Sequence, residues 1–398
     1  MTTKEKISKY ATPNNGERDF VVSRGKGSKI FDDDGNSYLD FGAGIAVTSI
    51  GHCNPRWVKA VAKQAATLAH CSNLYMTKPN ADLCERLVRE IGNGKIFLCN
   101  SGTEANEALI KAARLYGKKV SGVEGKKYKI VTALDGFHGR TLGCVAATAQ
   151  HKIQKGFAPL LEGFEYAVFN DIESFEKVVD DDVAAVIVEP IQGESGVTPA
   201  TLKFLKGLKS LCKKHKALLF FDEVQCGFGR CGAFLASQRI GVTADGVSMA
   251  KGLGGGFPIG AVWLANSLGN LFTPGTHGTT FGGNALACAA ALATISVVEK
   301  EELIDNAAKM GDRLADGLQE IADKYPKIVK LTRGLGLMRA VLFNEPYVNS
   351  DICKKLRKNG LILVPAGSNA LRFLPALNVK ASEVDKALKI FDKTLGEL

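Results

Sequence analysis

Between residues 95 and 265 the chain alternates short apolar, often β-branched runs with longer stretches whose apolar positions recur at helical spacing. The short runs are Lys95–Cys99, Tyr128–Leu134, Phe164–Phe169, Val183–Val188, Ala217–Phe221, Gly246–Ala250 and Ile259–Leu264. Runs of this kind between helical patterns predict the strands of a mostly parallel sheet covered by helices on each side. Of the intervening stretches, Glu104–Tyr116 puts Ala105, Leu109 and Ala112 on one face, and Leu202, Leu205, Leu208 and Cys212 repeat likewise. The last third changes character. A long helical pattern near Ala285–Tyr325 leads to a predicted hairpin near Val329–Phe343, short strands at Leu361–Val364 and Leu371–Leu374, and a closing helix near Ser382–Leu395. The expected organisation is α/β: residues 1–50 as an N-terminal segment, strand-like around Lys29–Leu39, packing with a small C-terminal α+β domain at 291–398, and a large ligand-binding domain at 51–290.

Composition narrows the class. The chain has 398 residues, 45% hydrophobic and 23% charged, which suits a globular protein with a large core. MTTKEKISKY is polar and of mixed charge, and no apolar run approaches the ~20 residues of a membrane span. A cytoplasmic protein without membrane attachment is expected. The ten cysteines are scattered without a CxxC pair, and the six histidines show no metal-ligand spacing, so reduced thiols and no metal site are expected. The net charge of +10 is spread along the chain, and pairs such as Lys126-Lys127 and Lys213-Lys214 read as solvated faces rather than a nucleic-acid surface. A positive field of this kind also suits anionic ligands.

In open α/β sheets, ligands bind beyond the carboxyl ends of the strands, so the residues following each run are the candidates. After Cys99 come Asn100, Ser101, Gly102 and Thr103, opening a helix whose N-terminus suits a phosphate, although a plain capped helix would look the same. Phe137 and Arg140, flanked by glycines, suit a flat ring and a carboxylate, or equally a core phenylalanine and a surface arginine. Asp222 ends a buried apolar strand and needs a cationic partner, which an arginine or a protonated ring nitrogen could provide. Lys251 ends another strand and is followed by Gly252-Leu253-Gly254-Gly255-Gly256; burial there would lower its pKa toward the nucleophilic range.

Six stretches occur in a fixed order: SGTEANEA from Ser101, FHGRT from Phe137, VEPIQGE from Val188, DEVQCGFGR from Asp222, MAKGLGGG from Met249 and THGTTFGGN from Thr276. With Asp34-Gly35-Asn36, Leu39-Asp40, Gly51-His52 and Arg372-Phe373, they make nearly the whole chain resemble the class III, or ω-amino acid, aminotransferases of the pyridoxal-phosphate (PLP) fold-type-I superfamily. The resemblance implies a seven-stranded, mostly parallel large domain plus a small domain, and PLP as cofactor. It makes Lys251 the Schiff-base lysine, Asp222 the partner of the pyridine nitrogen, Gln225 a contact of the ring hydroxyl and Phe137 a stacking ring. Ser101, Gly102 and Thr103 would hold the phosphate, Glu223 and Val224 would flank Asp222 in the cofactor site, and Thr280 would reach the phosphate of a neighbouring subunit. A homodimer with shared active sites is therefore implied. Glu189 resembles a residue that orients the site.

Within the family, SGTEANEALIKAAR and Gly44-Ile45-Ala46-Val47 ahead of GHCNP are most similar to members acting on N-acetylornithine; ornithine-specific members carry a tyrosine in place of Gly44. On this resemblance Arg140, with Thr279 nearby, would bind the α-carboxylate of N-acetylornithine. Arg372 would bind that of glutamate or 2-oxoglutarate, and Glu194 would be the carboxylate that pairs with Arg372 and moves aside for glutamate. The same core also serves ornithine, 4-aminobutyrate and succinylornithine/succinyldiaminopimelate aminotransferases and, in another reaction class, glutamate-1-semialdehyde aminomutase.

Overall fold

A computed structural model describes residues 1–16 and 18–398. Its centre is a seven-stranded sheet of β1 (Gly94–Cys99), β2 (Lys129–Ala133), β3 (Phe164–Ala167), β4 (Val183–Val188), β5 (Leu218–Asp222), β6 (Gly246–Met249) and β7 (Gly260–Ala265), in the order β1-β7-β6-β5-β4-β2-β3. All neighbours run parallel except β7, which is antiparallel to both β1 and β6. The apolar runs are explained by burial on both faces. Ile187 and Phe220 enter the core under the helix Gly102–Ser121, whereas their chain neighbours Val188 and Phe221 enter the opposite core with Leu205 and Leu208.

Helix Gly102–Ser121 starts where the Ser101 hydroxyl accepts from Glu104 N at 3.2 Å and stops at Gly122, whose φ of 72° is left-handed. Its buried face is mostly alanine, with Leu109 as the large anchor; truncating Leu109 to alanine would cost about 2–5 kcal/mol. At Gly117 a Cβ would lie 1.7 Å from Lys127 O, so only glycine permits the approach. Lys127 corrects the expectation of a solvated lysine pair. It is 5% exposed, and its Nζ donates to Asp181 O and His215 O at 2.9 Å each, tying the chain just ahead of β4 and β5.

The long helical pattern after the large sheet is two helices, Ala285–Lys300 and Leu303–Lys324, broken at Glu302, where φ is 51°. The first runs unbroken through the boundary expected at 290. The C-terminal sheet orders Val329–Leu335, Met338–Phe343, Ala370–Phe373 and Val364–Ala366, backed by Leu303–Lys324, Asn349–Lys358 and Ala381–Gly396. The run expected as one strand at Leu361–Val364 is divided. Leu361–Ile362 pairs in parallel with Ser37–Asp40 of the N-terminal sheet, while Val364–Ala366 turns into the C-terminal sheet. The first forty residues are thus stitched to the last forty. No helix among the described residues is long and apolar enough to cross a membrane.

Candidate active site

Beyond the carboxyl ends of the central strands lies a cavity of about 410 Å³, whose wall includes Ser101, Phe137, Arg140, Asp222, Gln225 and Lys251. Gly102, Thr103 and Val224 complete the cradle at the helix N-terminus. A Cβ on Gly102 would meet Val224 at 2.7 Å, so the turn depends on a residue without a side chain. The N–H groups of that first turn have no intrahelical acceptors, which makes them donors for an anion. Glu104 holds the loop in place, accepting from Asn100 N at 2.6 Å and Asn100 Nδ2 at 3.2 Å. The Thr103 hydroxyl accepts from Arg140 N at 3.2 Å, coupling the phosphate-type turn to the FHGRT segment.

Asp222 ends β5 and is 3% exposed. Oδ2 accepts from Asn106 Nδ2 at 2.7 Å and contacts His138 Nδ1 at 2.8 Å; Oδ1 accepts from Val224 N at 3.0 Å. Ser248 Oγ donates in turn to Asn106 Oδ1 at 2.6 Å. Burial works against protonated His138, but the hydrogen bond and charge of Asp222 outweigh it and raise the imidazole pKa. These three residues were missed in the sequence. Asn106 left one signal, an amide adjoining the alanine and leucine stripe of its helix, whereas His138 was overshadowed by Phe137 and Arg140 in the same motif.

Glu189 follows β4 and accepts from Phe137 N at 3.0 Å and Gly193 N at 3.2 Å. It thereby fixes the backbone of both Phe137 and the loop that carries Glu194. Burial pushes its carboxyl up to about 7; nearby His138 opposes the rise and Asp222 adds to it. Lys251 follows β6 with a left-handed φ of 43°, a strained geometry of the kind that clusters at working sites. Burial lowers its pKa, with Glu194 opposing and Arg372 reinforcing the effect.

Arg372, 1% exposed and carried by the C-terminal sheet, closes on Glu194 through Nη1–Oε1 at 2.7 Å and Nη2–Oε2 at 3.3 Å. Its Nη1 also donates to Gln225 Oε1 at 3.0 Å, which brings it to the cavity wall. Burial opposes ionisation of Glu194, yet the Arg372 charge and hydrogen bonds hold its carboxyl below the usual range. Arg140 is exposed at the cavity wall, with its guanidinium carbon 5.5 Å from the Phe137 ring centre.

Glu223 differs from the expected cofactor contact. Its carboxylate accepts from Ala236 N and Ser237 N at 2.8 Å each, capping the short helix Ala236–Ile240, and it is not part of the cavity wall. Asp222 lines the cavity, whereas the Glu223 carboxylate, just past the end of β5, is occupied by those backbone N–H groups. Thr279 accepts from Asn100 Nδ2 at 3.1 Å, behind the cradle, and Thr280 is exposed outside this cavity.

PLP fits what is present. The cavity offers a lysine amine, an anchored carboxylate for a ring nitrogen, a phenyl face and a helix N-terminus for a phosphate. Among the described residues no group of three or more metal-ligating side chains gathers.

Residues 10–395 match the family model for class-III aminotransferases. The chain belongs to the class-III aminotransferase family, which is PLP-dependent in general, and it is a transaminase. It is 44% identical over 398 residues to the acetylornithine aminotransferase of Caldanaerobacter subterraneus subsp. tengcongensis, covering 100% of both chains. Its fold matches the crystal structure of ornithine aminotransferase from Toxoplasma gondii with a TM-score of 0.95 at 32% identity, covering 100% of this chain and 96% of that one. It matches acetylornithine aminotransferase from Elizabethkingia anophelis with a TM-score of 0.88 at 32% identity, covering 99% and 98%.

Proposed function

We propose that the chain uses PLP held on Lys251 to move the terminal amino group of N-acetylornithine to 2-oxoglutarate, giving N-acetylglutamate semialdehyde and glutamate, a step of arginine biosynthesis in the cytoplasm. The observation that carries the reading is the closed Arg372–Glu194 pair beside the cavity containing Lys251 and Arg140. An enzyme that accepts a terminal amine in one half-reaction and an α-amino acid in the other needs an anchor that is neutralised in the first and open in the second. The 44% identity to a full-length relative of that name supports the acetylated donor, as does Gly44, which offers no phenol to free ornithine.

When bound, PLP would supply an electrophilic carbon and an electron-withdrawing ring. Lys251, its pKa lowered by burial, would serve as the base that takes a proton from the donor's amine-bearing carbon and later returns it. Asp222, held by His138, Asn106 and Val224 N, would keep a proton on the ring nitrogen. Phe137 would cover one ring face and exclude water from it. Arg140 would orient the donor's α-carboxylate, with Thr279 bracing the wall. Arg372 would take the α-carboxylate of glutamate or 2-oxoglutarate once Glu194 withdraws. We also infer a homodimer in which Thr280 of each chain completes the other's phosphate site; exposed Leu74, Tyr75, Met76 and Phe281 lie on neighbouring segments, joined by Asn73 Nδ2 donating to Thr279 O and Gly282 O.

The test is a kinetic panel of N-acetylornithine, ornithine, 4-aminobutyrate and succinylated donors with 2-oxoglutarate. N-Acetylornithine is expected to give the highest kcat/KM, and preference for 4-aminobutyrate would overturn the donor assignment. Borohydride should fix the cofactor to Lys251.

A further inference from the structure

Arg230 is a buried guanidinium without a counter-charge among the described residues. It is 2% exposed, and among the described residues its partners are backbone carbonyls alone. Nη1 donates to Leu337 O at 3.2 Å and to Pro375 O, while Nη2 has no partner among the described residues. Burial pulls its pKa down to about 10. Apolar side chains of similar volume often replace buried charges without loss of stability, so the reason for keeping a cation here is sought in what it holds.

Its two acceptors bracket the strand pair that carries Arg372. Leu337 sits in the turn between Val329–Leu335 and Met338–Phe343, and Pro375 lies just beyond Ala370–Phe373. Those inner strands pair with Ala340 opposite Arg372. The contact is reciprocal, since Leu337 N donates to Arg230 O at 3.0 Å. It also has little slack, because a Cβ on Gly336 would stand 2.7 Å from the Cys231 backbone. Arg372 itself returns to Gln225 Oε1 at 3.0 Å, on the same segment that begins at Asp222 and ends at Arg230. The circuit Gln225, Arg372, Pro375, Arg230 is therefore closed, and Arg230 is not itself part of the cavity wall.

We propose that Arg230 is a positioning residue for Arg372: by gripping the backbone at Pro375 and Leu337 it sets where the Arg372 guanidinium stands and so governs affinity for the α-carboxylate of the α-amino or α-keto acid co-substrate. The inference rests on the reading of Arg372 as that carboxylate's anchor.

The experiment follows each half-reaction of the holoenzyme separately, by cofactor absorbance in single turnovers, for wild type, Arg230→Met and Arg230→Lys. With Arg230→Met the glutamate concentration for half-maximal rate should rise about tenfold, as expected for losing charge-assisted hydrogen bonds. The limiting rate and the N-acetylornithine half-reaction should stay within about threefold of wild type. Arg230→Lys keeps the charge but not the fork, and should fall between the two. A natively folded Arg230→Met that responds to glutamate at wild-type concentrations, or that loses both half-reactions equally, would overturn the clamp alone. If Arg230→Met does not fold, Arg230→Lys decides by the same split; if neither folds, Arg230 is a folding residue and the proposal is wrong. A wild-type enzyme inert to glutamate would overturn the anchor reading, and the clamp with it.

Discussion

Replacing Glu194 with alanine should make the enzyme bind glutamate more tightly. In the closed state both guanidinium ends of Arg372 are matched to Glu194, at 2.7 and 3.3 Å, and the arginine side chain is 2% exposed against 28% for the glutamate. Two unit charges ~4 Å apart at an effective dielectric of ~20 attract by about 4 kcal/mol. Water at the partly open glutamate and the contacts of Arg372 with Gln225 Oε1, Gly193 O and Pro365 O reduce the cost of opening to about 1–2 kcal/mol. Removing that competitor should lower the glutamate concentration for half-maximal rate by about 5–30-fold. The terminal-amine half-reaction should slow, because an open Arg372 lets the donor's own carboxylate bind in the wrong orientation. Single-turnover absorbance changes with each amino donor measure both effects. A folded Glu194→Ala enzyme whose glutamate dependence is unchanged or weaker would refute the reasoning. The pH dependence has a definite sign. Burial opposes ionisation of Glu194 but Arg372 prevails and its folded pKa is lowered, so the pair's contribution to stability is present above the unfolded value near 4.3 and is lost as pH falls through the folded one.

Three further outcomes are expected. Asn106→Ala removes one donor to Asp222 and strands Ser248, costing about 1–3 kcal/mol of stability and loosening PLP about tenfold, read by thermal unfolding and equilibrium dialysis. Glu189 has a folded pKa raised to about 7 from 4.5, so its contribution is full below about 4.5 and is lost as pH rises to about 7; Glu189→Gln should flatten the fall in melting temperature across that window, and an unchanged slope would assign it to another group. Gly44→Tyr should shift the ratio of kcat/KM from N-acetylornithine toward ornithine. A Cβ there meets only Val47 at 3.6 Å, although the φ of 62° adds about 1 kcal/mol of strain, and an unaltered ratio would discount Gly44 as a determinant.

The central strands were legible because burial on both faces writes them as apolar runs, as at Val183–Val188, where all six residues are buried. Strand direction was not. β7 reads like its neighbours, and only the short connection from Lys251 to Gly260 makes it antiparallel, since a parallel return needs a longer crossover. Lys251 and Asp222 could be found because each polar group follows an apolar strand directly. Glu223 does not join Asp222 at the cavity wall, because its carboxylate caps a helix N-terminus instead, a contact that sequence adjacency does not show. Lys127 was read as solvated because its partners, the carbonyls of Asp181 and His215, are contributed by distant backbone without regard to side chain. His138 and Ser248 act through contacts between segments far apart in the chain, which no local pattern records.

The parallel pairing of Leu361–Ile362 with Ser37–Asp40 has a bearing on how the molecule is made. Every group that lines the cavity has been synthesised by the end of β7, yet one edge of the N-terminal strand Ser37–Asp40, whose other edge pairs locally with Lys29–Asp32, must wait for a partner more than three hundred residues downstream. Closing so distant a pair is a slow, late event. Arg372 leaves the ribosome only a few residues after that partner strand. Completing the N-terminal sheet and adding Arg372, the anchor proposed for the co-substrate, therefore belong to one final stage of maturation. A chain cut short before residue 361 would contain every group that lines the cavity yet lack Arg372 and the strand that completes the N-terminal sheet.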